Sequence, residues 1–198
     1  MKKLSIFVLL ALTISTISMA QTNTAAKKFN WGYKIGFNTS NIRIENRGDA
    51  DWKTGLVTGL FFTVKAGEKL SIQPELLYSS MGGRNVIALE SNNTSLRLNY
   101  FSIPVLAKYR IAKNWNVVVG PQVDVLIQAK SKNNSSQFDN LTNDFKESSF
   151  NATAGAELTA WRAAAFTVRY IYGFTNVADF GPNEMKNQGI QVSAAFKF

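Results

Sequence analysis

The chain has neither cysteine nor histidine. Without cysteine there is no disulfide framework, and the lipid-attachment route of bacterial lipoproteins is closed. Without histidine the His-based hydrolase triads, the commonest general base and most zinc sites are gone. Gly-x-Ser-x-Gly, Ser-x-x-Lys and a phosphate-binding glycine loop are also missing. The expectation is a protein that is not an enzyme, with no catalytic residue, no metal ligand and no cofactor. Long hydrophobic runs are scarce too. Past the first twenty residues no segment approaches the roughly 20 apolar residues of a membrane-spanning helix.

The first twenty residues read as an export leader. Lys2 and Lys3 make a basic start, Leu4 to Ser18 is apolar or small and uncharged, and Ser18-Met19-Ala20 is a small-x-small cleavage site. This is the pattern of a secretory signal peptide, 1–20, removed before Gln21. Residues 21–28 then form a short N-terminal segment on the periplasmic side, and 29–198 form one domain. The formal charge is +9, and removing Lys2 and Lys3 leaves +7. Such a balance suits nucleic acid in principle. An exported chain rarely meets it, so no nucleic acid is expected, and an anionic lipid surface is the better partner.

What the chain has is alternation. In Ala165 to Phe174, Phe166, Val168, Tyr170, Tyr172 and Phe174 fall on one phase, and Thr167, Arg169, Ile171 and Gly173 on the other. Successive strand side chains face opposite sides of a sheet, so one face is apolar and the other holds an arginine. Seven more stretches read this way: Trp31 to Asn41, Thr54 to Lys65, Lys69 to Ser79, about Leu96 to Ile111, Trp115 to Ala129, about Phe150 to Ala160, and Gly189 to Phe198. Their connections alternate short and long, with short turns near Ala66, Ala112 and Trp161.

Ten charged residues of these stretches share the polar phase: Lys34, Lys65, Lys69, Glu75, Lys108, Arg110, Asp124, Glu157, Arg169 and Lys197. A soluble barrel would put its charges outside. A membrane barrel puts them inside, because a basic residue facing lipid at mid-depth costs about 2–4 kcal/mol. The fold expected is therefore all-β: an eight-stranded antiparallel up-and-down transmembrane barrel in the bacterial outer membrane. Inward acids and bases are expected to pair as an interior charge network, since isolated buried charges are very costly. Trp31, Tyr109, Trp115, Trp161 and Phe198 fall at the short-turn ends, and Tyr78, Tyr100, Phe150 and Phe174 near the others. Both sets suit aromatic girdles at the two membrane interfaces. The phase slips near Tyr100-Phe101, which suggests a bulge there. Pro74, Pro104 and Pro121 interrupt strands and are expected at local bulges.

Several of these segments resemble one family. Gln73-Pro74-Glu75-Leu76-Leu77-Tyr78-Ser79 looks like the third-strand motif of PorT-like outer-membrane β-barrels, and Tyr100-Phe101-Ser102-Ile103-Pro104-Val105-Leu106-Ala107-Lys108-Tyr109 resembles the fourth. Gly120-Pro121 and the opening Gly32-Tyr33-Lys34-Ile35-Gly36-Phe37-Asn38 are similar too, so the likeness covers roughly 29–198. Ser102 departs from it, where many members carry an acid. The resemblance implies an eight-stranded porin-like barrel, with a founding member tied to protein export. It implies no single activity.

Two roles stay open. One is a structural or interaction protein, accessory to export or envelope assembly. The other is a narrow transport or ligand-binding barrel in which Lys34, Lys108, Arg110 and Arg169 attract a small anion. Expected partners are outer-membrane lipid and lipopolysaccharide, periplasmic chaperones and the barrel-assembly machinery during biogenesis, and an export complex.

Overall fold

The computed structural model describes residues 29–44, 48–85, 95–132, 138–161, 163–178 and 184–198. The expected leader and the 21–28 segment lie outside these residues. Among the described residues ten strands run in chain order: β1 (Phe29–Ile44), β2 (Gly48–Asp49), β3 (Lys53–Lys65), β4 (Leu70–Gly83), β5 (Ser95–Arg110), β6 (Trp115–Lys132), β7 (Phe138–Asn140), β8 (Ser148–Thr159), β9 (Ala164–Gly173) and β10 (Met185–Lys197). Among the described residues, eight of them form a closed antiparallel barrel. Neighbours pair in the circular order β1, β3, β4, β5, β6, β8, β9, β10, and β10 returns to β1 with Gly32 opposite Lys197 and Ile44 opposite Met185. Closure leaves no unpaired edge, which lipid requires. The short β2 and β7 extend the wall beside β1 and β6.

Alternation decides which way each side chain points. Along β9 every second residue is buried, and Phe166, Val168, Tyr170 and Tyr172 stand outside among the large exposed apolar residues. The same holds for Tyr33, Ile35 and Phe37 on β1 and Val192 and Phe196 on β10. A soluble protein rarely exposes a continuous apolar band of this kind. Trp31, Tyr109, Trp115, Trp161 and Phe198 are exposed at the end of the barrel that carries the short turns, with the Trp31 and Phe198 rings 4.9 Å apart.

Three details differ from the sequence reading. Tyr100 does not join the outer aromatics. It points inward and is buried, in phase with Leu98 and Ser102, so β5 has no phase slip. The irregularity falls on the partner strand instead. Asn99 pairs with Gln128 and Tyr100 with Leu126, which leaves Ile127 as the extra residue of a bulge on β6. Beyond it the inward phase of β6 passes from even to odd positions, from Asp124 to Ala129. The prolines do not make bulges either. Pairing keeps one register on both sides of Pro74, Pro104 and Pro121. Each lacks an N–H donor, and at each one a ladder skips two pairs before it resumes in the same register. Finally, the strands overrun their expected outer ends. β1 continues to Ile44, β4 to Gly83 and β6 to Lys132, and β10 starts at Met185.

Candidate functional site: the barrel lumen

The lumen is built in layers. At mid-depth, Glu75 accepts hydrogen bonds from Lys34, from Gln73 Nε2 at 2.8 Å and from Arg169 at 2.9 Å. Arg169 also donates to Gln191 Oε1 at 3.1 Å. In the ring of eight strands, β4 and β9 are four places apart, so the Glu75–Arg169 pair crosses between opposite walls. Lys34, Glu75 and Arg169 are all fully buried. Gly155 makes room for the arginine, because a Cβ there would sit 2.6 Å from Arg169 Cα. Nearer the short-turn end, Lys108 on β5 pairs with Glu157 on β8.

Asp124 belongs to none of these three ion pairs. Among the described residues it is held by amides, with Gln122 Nε2 at 2.9 Å and Asn151 Nδ2 at 2.7 Å. Among the described residues, Lys34, Lys108 and Arg169 balance Glu75, Asp124 and Glu157, so their buried charge sums to zero. Neutrality matters in a low-dielectric tube, where an uncompensated ion is costly. Four further inward cations, Lys65, Lys69, Arg110 and Lys197, stand lower still, at the short-turn mouth.

Towards the long-loop end the lining turns apolar, a feature that the sequence reading missed. Ile42, Met81, Leu96, Leu98, Tyr100, Ala129, Ile171 and Met185 come from the strands, and Phe145, Val177 and Ala178 from the connections above them. All are buried in one cluster. Backbone bonds hold the upper pieces in place, Lys146 N to Val177 O at 2.9 Å and Val177 N to Met185 O at 2.8 Å. Just below, Asn187 Nδ2 donates to the Tyr100 hydroxyl at 3.0 Å. That contact joins β10 to β5, again opposite walls. The lumen is thus bridged at two depths and capped by apolar side chains. An eight-stranded barrel has an interior that side chains can just fill. No cluster of metal-ligating side chains occurs among the described residues.

A closed eight-stranded barrel with an apolar exterior, a polar charge-balanced interior and aromatic residues at its short-turn rim defines a small integral outer-membrane protein. Residues 19–179 match the family model described as outer membrane protein beta-barrel domain, and the chain belongs to that family. It resides in the bacterial outer membrane. No curated protein sequence matches it. Among solved structures it is similar to Ail, the attachment invasion locus protein of Yersinia pestis. The TM-score is 0.54 at 13% identity, over 85% of this chain and 98% of that one. The complex of Ail with the heparin analogue sucrose octasulfate gives 0.52 at 15% identity, over 86% and 99%. Neisserial surface protein A gives 0.55 at 8% identity, over 84% and 97%. At such identities the likeness is one of fold.

Proposed function

We propose that this barrel is a non-enzymatic, non-conducting protein with a structural or interaction role, working through its outer loops or rim as an accessory to protein export or envelope assembly. The observation that carries the reading is the filled lumen. Two contacts between opposite walls and an apolar cap block the path of a solute through the barrel, so the available working surfaces are the ends. The PorT-like character of Gln73–Ser79 and Tyr100–Tyr109 favours export among the candidate processes. The partners that follow are lipid and lipopolysaccharide in the membrane, periplasmic chaperones and the barrel-assembly machinery on the way there, and an export complex afterwards. Removal of Met1–Ala20 belongs to the same route. Transport of a small anion past Lys34, Lys108, Arg110 and Arg169 is the weaker reading, because three of the four, Lys34, Lys108 and Arg169, already have a carboxylate partner.

The test is a crosslinked pull-down from intact outer membranes, with an affinity tag inserted at Ser135. That residue lies outside the described residues, in the connection between β6 and β7. Recovery of export or assembly components in amounts comparable to the bait is the expected result. Recovery of lipopolysaccharide and abundant porins alone would remove the accessory role.

A further inference from the structure

Below the Lys108–Glu157 pair the lumen opens into a cavity of about 180 Å³. Six cations line it: Lys65, Lys69, Lys108, Arg110, Lys113 and Lys197. They come from neighbouring strands and the turns between them. Lys65 lies opposite Ser71, Ser71 opposite Lys108, and Arg110 opposite Asn116. No acidic side chain is among the described residues that line it, and the nearby Glu157 is occupied by Lys108. Glu68 sits in the β3–β4 turn and does not line the cavity. Five cations therefore converge on one space with no acidic side chain among the described residues that line it, while the buried charges above sum to zero.

We propose that this mouth is a binding site for a phosphate-bearing anion presented from the periplasmic side. The chemistry fits on three counts. A concentration of like charge with low-dielectric walls focuses a field that favours multivalent anions. Arg110 supplies a planar donor fork suited to phosphate, and the lysines supply point charges around it. Thr63, Ser71 and Thr159 add hydroxyls, and Asn30 and Asn116 add amides, all lining the same space. The size sets a limit. The cavity is smaller than the roughly 300–1,000 Å³ of pockets that enclose drug-sized ligands, so it accepts a single anionic group rather than a whole metabolite. Being closed above, it retains the group and does not pass it on. This site is independent of the loop-mediated role proposed above.

Either free phosphate or an inner-leaflet phospholipid headgroup could supply that chemistry, and one experiment separates them. The purified barrel in zwitterionic detergent is heated while inorganic phosphate is titrated against chloride at constant ionic strength. A ligand that binds only the folded state raises its melting temperature. The expected result is a saturable rise with phosphate and none with chloride. The triple variant Lys69→Gln, Arg110→Gln, Lys113→Gln alters exposed residues only, and its fold is checked by heat-modifiable gel mobility. It should lose at least tenfold in apparent phosphate affinity. The same titration is repeated in nanodiscs of phosphatidylcholine with and without phosphatidylglycerol. A phosphate response abolished by phosphatidylglycerol in the wild type assigns the site to a lipid headgroup, and a response that survives assigns it to a free anion. Equal responses to phosphate and chloride, or a response unchanged in the triple variant, would reduce the ring to hydrated cations and overturn the proposal.

Discussion

Glu75→Ala is expected to destabilise the barrel by about 3–5 kcal/mol, the range for removing one partner of a buried ion pair. The loss is large because Glu75 serves two cations. Without it Lys34 and Arg169 stay buried beside each other, with no carboxylate and little water to replace it. Urea unfolding of the purified protein in micelles, followed by tryptophan fluorescence, measures the change. Two comparisons identify the cause. Glu157→Ala should cost less, because Lys108 borders the open mouth and can be hydrated there. Lys34→Met should also cost less, because the Arg169–Glu75 bond across the lumen survives. If Glu75→Ala unfolds at the same urea concentration as the parent, the lumen is wet enough at mid-depth to solvate both cations.

Leu98→Ala should cost about 2–5 kcal/mol, the range for emptying a well-packed aliphatic site. Leu98 is fully buried at the long-loop end, paired with Met81 on one side and Ala129 on the other. An unpacked side chain at a barrel mouth would lose almost nothing on truncation, since water would fill the space. The size of the effect, read from the same unfolding curves, therefore reports whether the cap is a packed core or a loose covering. A change below about 0.5 kcal/mol, the scale of surface substitutions, would mean that the cap does not seal.

The membrane fold was legible because its physics is written at every second residue. Phe166, Val168, Tyr170 and Tyr172 must face lipid, and Arg169 between them cannot. The inward charges were legible for the same reason. Their pairing was not, because which wall meets which depends on closure and register. Nothing in the sequence brings β9 to face β4, so the Arg169–Glu75 contact emerges only from the ring. Asp124 shows the converse. Its charge marked it as a partner for a base, and the fold satisfies it with Gln122 and Asn151 instead.

The apolar cap escaped notice because periodicity reports faces and not depth. Leu96, Leu98 and Tyr100 share the inward phase of Ser102 and Lys108. Apolar residues on a polar phase look like a slip in alternation. Here they are the continuation of one face above the level of the charges, where a barrel mouth can be lined by a small core. Ile171, in phase with Arg169, carried the same signal on β9. The basic mouth was half visible. Lys65, Lys69, Arg110 and Lys197 read as inward charges, and their convergence on one cavity with Lys113 required the fold.

Planar-bilayer recording of the purified protein reads out whether its own side chains fill the lumen. The bridged and capped interior predicts a silent membrane, with no steady conductance above the bare bilayer. Large, steady, ohmic conductance would contradict it, and the apolar cap and cross-lumen bonds would then be wrong as a description of the protein in its membrane.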